Sequence, residues 1–171
     1  MPGMTIKKYP DDILRKVCKR LDKASVDCNE LDILLNGMLM VMYANRGVGL
    51  AASQVGIDKQ IVVLDIGNGP IKLVNPVITK REGGAFMEEG CLSLPETSVS
   101  VKRAQKVTVN AMNEKMHPIT MAADGLMARV IQHEMDHLSG VLIIDYLNPV
   151  KKYFAVKNLR QHKKSKDKVI I

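Results

Sequence analysis

No apolar stretch of the sequence approaches the roughly 18 consecutive residues that a membrane-spanning helix requires, so a membrane protein is not expected. Residues 1–10 lack the apolar segment of a secretory signal. The expected location is therefore the cytosol, or an organelle lumen if the chain is a mature form. Cysteine is scarce and odd in number, with Cys18, Cys28 and Cys91 only, which excludes a disulfide framework in a reducing compartment. No repeat and no linker-like segment interrupts the chain. Excess charge is missing from residues 1–150, which hold 17 acidic and 17 basic side chains. The whole net charge of +7 lies in residues 151–171, where eight Lys or Arg oppose Asp167 alone. Such a tail is either a solvated terminus or an arm for a polyanion such as RNA.

What remains is ordinary for a globular protein: 171 residues, 46% hydrophobic and 25% charged, enough for a substantial core. Residues 1–8 read as an extended arm, and Ile13, Leu14, Val17 and Leu21 suggest a helical stretch over residues 11–21. From Asn29, a plausible cap, Leu31, Leu34, Leu35, Met38, Val41 and Met42 form a core-facing helical stripe to about Ala44. Residues 47–56 are glycine-rich and small. They read as a tight turn or as backbone that something approaches closely, and the spacing does not fit a dinucleotide loop. Strands are expected over residues 60–66, 71–74, 99–103, 106–112 and 119–121, with residues 76–80 at a sheet edge and Gly83-Gly84 as an interruption. After Pro149 a further helix could dock through Tyr153, Phe154, Val156 and Leu159, and should fray beyond Arg160. The expected architecture is α+β, with short, mostly antiparallel strands around one central helix and a helix at the C-terminus.

That central helix carries Gln132-His133-Glu134-Met135-Asp136-His137. Two histidines four residues apart lie on one helical face and can reach one ion, while Glu134 is set beside that face, where it can handle protons. Leu126 and Val130 extend the same face upstream, Asp124 is a candidate cap, and Ser139-Gly140 a stop. A catalytic centre of this kind needs a third protein ligand. A third histidine at position 143 would complete one familiar pattern, but Ile143 stands there, and no glutamate follows Glu134. The third ligand should therefore come from upstream. Cys91, next to Gly90, is the first candidate and His117, before Pro118, the second.

Three stretches together, GVGLAASQ at 47–54, EGCLS at 89–93 and QHEMDH at 132–137, resemble the signature motifs of the peptide deformylase family in the family's order. The resemblance runs over essentially the whole chain, and the basic C-terminus is similar to the Gram-negative and organellar branch. It implies a hydrolase that removes the N-formyl group from formyl-methionyl nascent peptides and releases formate. It implies one divalent metal on Cys91, His133 and His137, Fe(II) by preference, with zinc, nickel or cobalt able to replace it. It further implies Glu134 as proton carrier, and Gln54 and the Leu92 N–H as donors to the formyl oxygen. Val48, Met87, Leu126 and Val130 would line a methionine pocket, with Gly47 and Gly49 leaving backbone free to pair with the peptide. Glu89 and Asp136 would support the ligands, with Arg103 as a partner for Glu89. Two positions differ from some bacterial relatives: Arg129 stands where they carry an aliphatic residue, and Ser98 where they carry arginine, which bears on peptide preference. By the same resemblance the basic tail could contact the ribosome, and neither a membrane nor DNA is an expected partner. The catalytic domain is assigned to residues 1–150 and the basic helix or tail to residues 151–171.

Overall fold

The computed structural model describes residues 3–167, with side chains to residue 161. Lys163, Lys164, Lys166 and Lys168 of the basic tail lie outside the described side chains. The elements follow in the order α1 (Cys28–Ala44), β1 (Gly49–Ala51), β2 (Ile61–Leu64), β3 (Ile71–Glu82), β4 (Ala85–Cys91), β5 (Leu94–Arg103), β6 (Lys106–Met112), β7 (Pro118–Asp124), α2 (Gly125–Leu138) and α3 (Pro149–Asp167), with short 3-10 turns at Asp12–Arg15, Ala52–Val55 and Ile143–Tyr146. Strands β1-β2-β3-β6-β7 form one sheet in that spatial order, and β4-β5 a separate two-stranded ribbon. Every pairing between these strands is antiparallel, so the fold is α+β.

The Ile-Val-Val-Leu run of β2 is apolar throughout because both faces of the sheet are covered. Val62 and Leu64 pack with Ile131 of α2 on one side. Ile61 and Val63 pack with Leu35, Met38 and Met42 of α1 on the other. Each large side chain buried in this way contributes roughly 1.5–3 kcal/mol relative to exposure. Helix α1 starts slightly earlier than expected, since the Asp27 carboxylate, not Asn29, receives the Asn29 and Glu30 N–H groups. Helix α2 starts after Asp124, whose side chain makes no capping bond, because Gly125 takes a left-handed turn (φ 51°) at the entry.

Three expectations change in three dimensions. Residues 11–21 form only the Asp12–Arg15 turn: Val17 faces solvent, while the Cys18 N–H bonds the Leu138 carbonyl, so the segment follows a neighbouring element instead of coiling. Residues 76–80 continue the sheet with one open edge, as expected: β3 runs through Pro76 to Glu82, pairing with β2 over Ile71–Val74 and beyond Val74 with β6 alone among the described residues. A register shift between Val74 and Val77 absorbs the proline's missing donor, with Asn75 in the left-handed region (φ 51°). Strand β4 has no counterpart in the sequence reading, since Ala-Phe-Met-Glu-Glu-Gly-Cys does not alternate and its one buried side chain is Glu89. In α3, Leu159 is buried and Ala155 and Val156 pack beside it, but Tyr153 and Phe154 are more than half exposed. Ala155, Val156 and Leu159 share one helical face, which turns residues 153 and 154 away from the core. The helical backbone also continues past Arg160 to Asp167.

Asp145 fastens the ends of the chain together. Its carboxylate accepts bonds from Arg15, from Lys152 Nζ at 2.6 Å and from the Leu142 N–H at 2.8 Å. Burial alone would raise this carboxyl, but those donors bring it down from 3.8 to about 2. A depressed folded-state value stabilises the protein above the unfolded value, and that contribution is lost as pH falls from about 4 through about 2. Asp145→Asn should therefore lower stability at neutral pH by up to about 2 kcal/mol, with the difference closing near pH 2. Urea midpoints for both proteins at about pH 7 and about pH 2.5 measure it, and a constant difference would contradict this account.

Candidate metal centre

Three separate parts of the chain converge on one cavity of about 450 Å³. Helix α2 crosses beneath it and supplies His133, Glu134 and His137, all buried. The ribbon β4-β5 forms one wall and supplies Cys91. The loop into β1 and the 3-10 turn after it form the other wall and supply Gly47, Val48, Gly49 and Gln54. This arrangement accounts for the small residues read from the sequence. A Cβ on Gly49 would lie 2.5 Å from Glu134 Oε1 and 2.6 Å from Val130 Cγ1, so β1 can run against α2 only with glycine there. Larger surface grooves lie between β5 and α3 and beside β7, but neither touches Cys91, His133 or His137.

The ligand atoms of Cys91, His133 and His137 all lie within 4.8 Å of one another, and Cys91 Sγ is 3.2 Å from His137 Nε2. Donors around a tetrahedral ion, with metal–sulfur near 2.3 Å and metal–nitrogen near 2.0 Å, sit about 3.3–3.6 Å apart. The three groups thus fit a single divalent cation by spacing and by donor chemistry, soft sulfur with two imidazoles. His117, the second candidate for third ligand, is exposed in the turn before β7, where its N–H bonds Asn113.

Glu89 organises the surroundings. Arg103 binds it with Nε and Nη2, both at 2.9 Å, Arg129 Nη1 reaches it at 2.6 Å, and His133 Nδ1 lies 3.0 Å from Oε2. Burial would raise the Glu89 carboxyl, but these donors hold it at about 2, so it is ionised and holds His133 with Nε2 turned to the centre. Arg103 also bonds Asp136 at 2.6 Å, and the Tyr146 hydroxyl donates to the same Asp136 oxygen at 2.7 Å. Burial pushes the His137 imidazole well below its ordinary value, leaving it neutral and able to ligate. Burial would lower His133 too, yet the Cys91 sulfur and Glu89 raise it to about 10, so protons and a cation compete for this donor set.

Glu134 is pushed up to about 7 by burial, against the attraction of His133. Its Oε2 and His137 Nδ1 are buried without a hydrogen-bond partner among the described residues. Opposite, the Ala51 N–H fixes Gln54 Oε1 at 2.8 Å, which turns Gln54 Nε2 toward Cys91 Sγ at 3.6 Å and Ser93 Oγ at 3.4 Å.

A family model described as polypeptide deformylase matches residues 4–153. The chain belongs to the polypeptide deformylase family. It is 42% identical, over 167 residues, to a peptide deformylase of Pseudoalteromonas translucida (strain TAC 125), covering 96% of this chain and 98% of that relative. Its fold matches a peptide deformylase of Legionella pneumophila with a TM-score of 0.88 and 38% identity, covering 96% of this chain and 98% of that one. It also matches a peptide deformylase of Synechococcus elongatus in complex with actinonin (TM-score 0.83, 38% identity, 92% of this chain and 86% of that one). Peptide deformylases are metalloenzymes that remove the N-formyl group from nascent polypeptides, and the Cys/His/His cluster here is a metal-binding group of that kind. No described helix is long and apolar enough to cross a membrane.

Of the residues singled out from sequence, Gly47, Val48, Gly49, Gln54, Met87, Glu89, Cys91, Leu92, Leu126, Val130, His133 and Glu134 line the deformylase cavity. His137 lies buried below it, while Arg103 and Asp136 stand behind His133. Arg46, Glu88 and Gly90 also line it and were not assigned to the site from sequence, and Arg129, singled out above for its bearing on peptide preference, lines it too. Arg129 is one helical turn before His133, a spacing that puts both on the cavity's side of α2. Tyr146 offered none, since it reaches Asp136 only through the fold. Ser98, the other departure noted above, donates to Glu88 Oε2 at 2.8 Å on the cavity's rim.

Proposed function

We propose that this deformylase holds its ion, Fe(II) by preference with zinc, nickel or cobalt as substitutes, on Cys91, His133 and His137, and that Glu134 carries the protons of the reaction. The observation behind this reading is the convergence of those three donors, within 4.8 Å, beside a buried glutamate whose Oε2 has no partner among the described residues. A divalent ion bound there supplies Lewis acidity, polarising the formyl oxygen and acidifying water. Glu134 takes a proton from the attacking water, whose oxygen bonds to the formyl carbon, and returns it to the amine as the C–N bond breaks and formate leaves. Gln54 Nε2 and the Leu92 N–H donate to the formyl oxygen as negative charge develops on it. Val48, Met87, Leu126 and Val130 enclose the methionine side chain, and the backbone at Gly47 and Gly49 pairs with the extended peptide. Glu89, Arg103 and Asp136 hold His133 in its ligating orientation.

Anaerobic loading with Fe(II), followed by formate release from formyl-Met-Ala-Ser, tests this directly. Absence of formate with Fe(II), Ni(II) and Co(II) alike would end the reading. We place the reaction in residues 1–150, in the cytosol or an organelle lumen, and the ribosome-facing role in the basic segment 151–171. Support for the latter is the charge of that segment together with the exposed Tyr153 and Phe154 among Lys151, Lys157 and Arg160. Deleting residues 162–171 leaves Leu159 in its core position. The deletion should weaken ribosome binding and flatten its salt dependence, with formyl-tripeptide turnover unchanged. Equal ribosome binding by both forms would remove the tail's role.

A further inference from the structure

We infer that Arg129 is a positioning residue that sets the width of the substrate cleft, an inference that rests on the cavity being the formyl-peptide site. The two walls of the cleft belong to different sheets. One wall is the β4-β5 ribbon with Met87, and the other is the segment entering β1, at the end of the five-stranded sheet. No strand ladder joins ribbon to sheet, so backbone pairing does not determine how far apart the walls stand. At the metal end Gln54 spans the walls to Ser93 at 3.4 Å, and elsewhere side chains reaching the ribbon from α2 set the spacing.

Arg129 links α2 to the backbone of the ribbon. It is only 6% exposed and lines the cavity. Its guanidinium donates Nη1 to Glu89 Oε1 at 2.6 Å and to the Val101 carbonyl at 3.0 Å, and Nη2 to the Ala85 carbonyl at 2.7 Å. Ala85 lies on β4 and Val101 on β5, so one side chain grips both strands. Val101 is also the register partner of Met87, the ribbon residue in the apolar wall. Arg129 therefore ties the ribbon to α2 at the level where a substrate side chain enters. His133 and Asp136 of α2 also engage the ribbon, but through side chains, Glu89 and Arg103, and Arg129 itself helps to fix the Glu89 carboxylate.

The three bonds need a planar fork with donors in fixed directions, which an ammonium on a flexible stem does not reproduce. Arg129→Lys keeps the charge and most of the stem but loses the grip on both strands, and it is the variant on which the inference stands. Arg129→Leu removes all three bonds and leaves two strand carbonyls without that donor.

In Arg129→Lys, the KM for formyl-Met-Ala-Ser should rise about tenfold with kcat changed less than about threefold. The preference for formyl-Met over formyl-Phe peptides should shrink by a similar factor as the cleft loosens. Binding of the product peptide Met-Ala-Ser, measured by calorimetry with and without Ni(II), should weaken in parallel. A merely structural arginine would lower the melting temperature and leave KM, side-chain preference and peptide binding unchanged, and that result overturns the inference. The binding arm also separates this inference from the proposed reaction. If the wild type releases no formate, the reading of the chemistry fails, while unchanged Met-Ala-Ser binding in Arg129→Lys still overturns the role given to Arg129.

Discussion

Glu134→Ala should retain one metal ion per chain and lose turnover of formyl-Met-Ala-Ser by about 10³-fold or more. Metal retention follows from geometry, because the cation site proposed above is formed by Cys91, His133 and His137, and Glu134 is not among those donors. Loss of turnover follows from the second half of the reaction as much as the first. Water attack needs a base, and the departing amine needs the proton back, so one missing carboxylate interrupts both transfers. Glu134 is suited to this task by its burial, which lifts its affinity for protons toward neutrality, and by Oε2, which no described side chain occupies. Glu134→Gln serves as the control of equal size, since it keeps the packing against Gly49 and Val130 but accepts no proton. Metal content by atomic absorption and initial rates of formate release give the answer. Activity within tenfold of wild type in both variants would show that another group carries the proton.

Cys91→Ala should have the opposite signature, with the fold retained and the metal lost. Two imidazoles remain, but the sulfur that completes the set is gone, and affinity for a divalent ion should fall by at least about 100-fold. A ligand that binds only the native state raises stability by about 2.7 kcal/mol at 100 times its dissociation constant. Wild type and Glu134→Ala should therefore both gain melting temperature on adding Ni(II), and Cys91→Ala should gain none. Cys91 lies at the irregular end of β4, partly buried against the Leu94 and Leu142 core, so melting temperatures without metal serve as the control for any loss of packing. An unchanged metal-induced shift in Cys91→Ala would mean that the ion is held by other groups.

The two histidines were legible because a helix is a local object. Residues four apart share a face whatever surrounds them, and the Leu126, Val130, His133, His137 series needed no partner to be seen. The stripe of α1 and the paired strands β6 and β7 were legible for the same reason, as each shows its period within a few residues. Strand β4 was not legible. Six of its seven residues stay at least partly exposed, and the buried one is the acid Glu89, so hydrophobic alternation carries no trace of it. Glu89 can be buried only because Arg103, Arg129 and His133 reach it from 14, 40 and 44 residues away. The helical stretch anticipated over residues 11–21 failed in the mirror-image way, since its local pattern was overridden by the bond from Cys18 to Leu138 at the end of α2.

By itself, the order of residues determined the α+β class, the helix that presents His133, Glu134 and His137, and the membership of a sulfur in the same centre through its motif. The fold decided what stands behind those ligands: the Glu89 hub, the Arg129 grip on both strands of the ribbon, the Tyr146 contact with Asp136, and the outward turn of Tyr153 and Phe154. The division has one cause. Periodicity and motif spacing are properties of neighbours along the chain, whereas a buried charge is tolerated only by partners that distant segments bring to it.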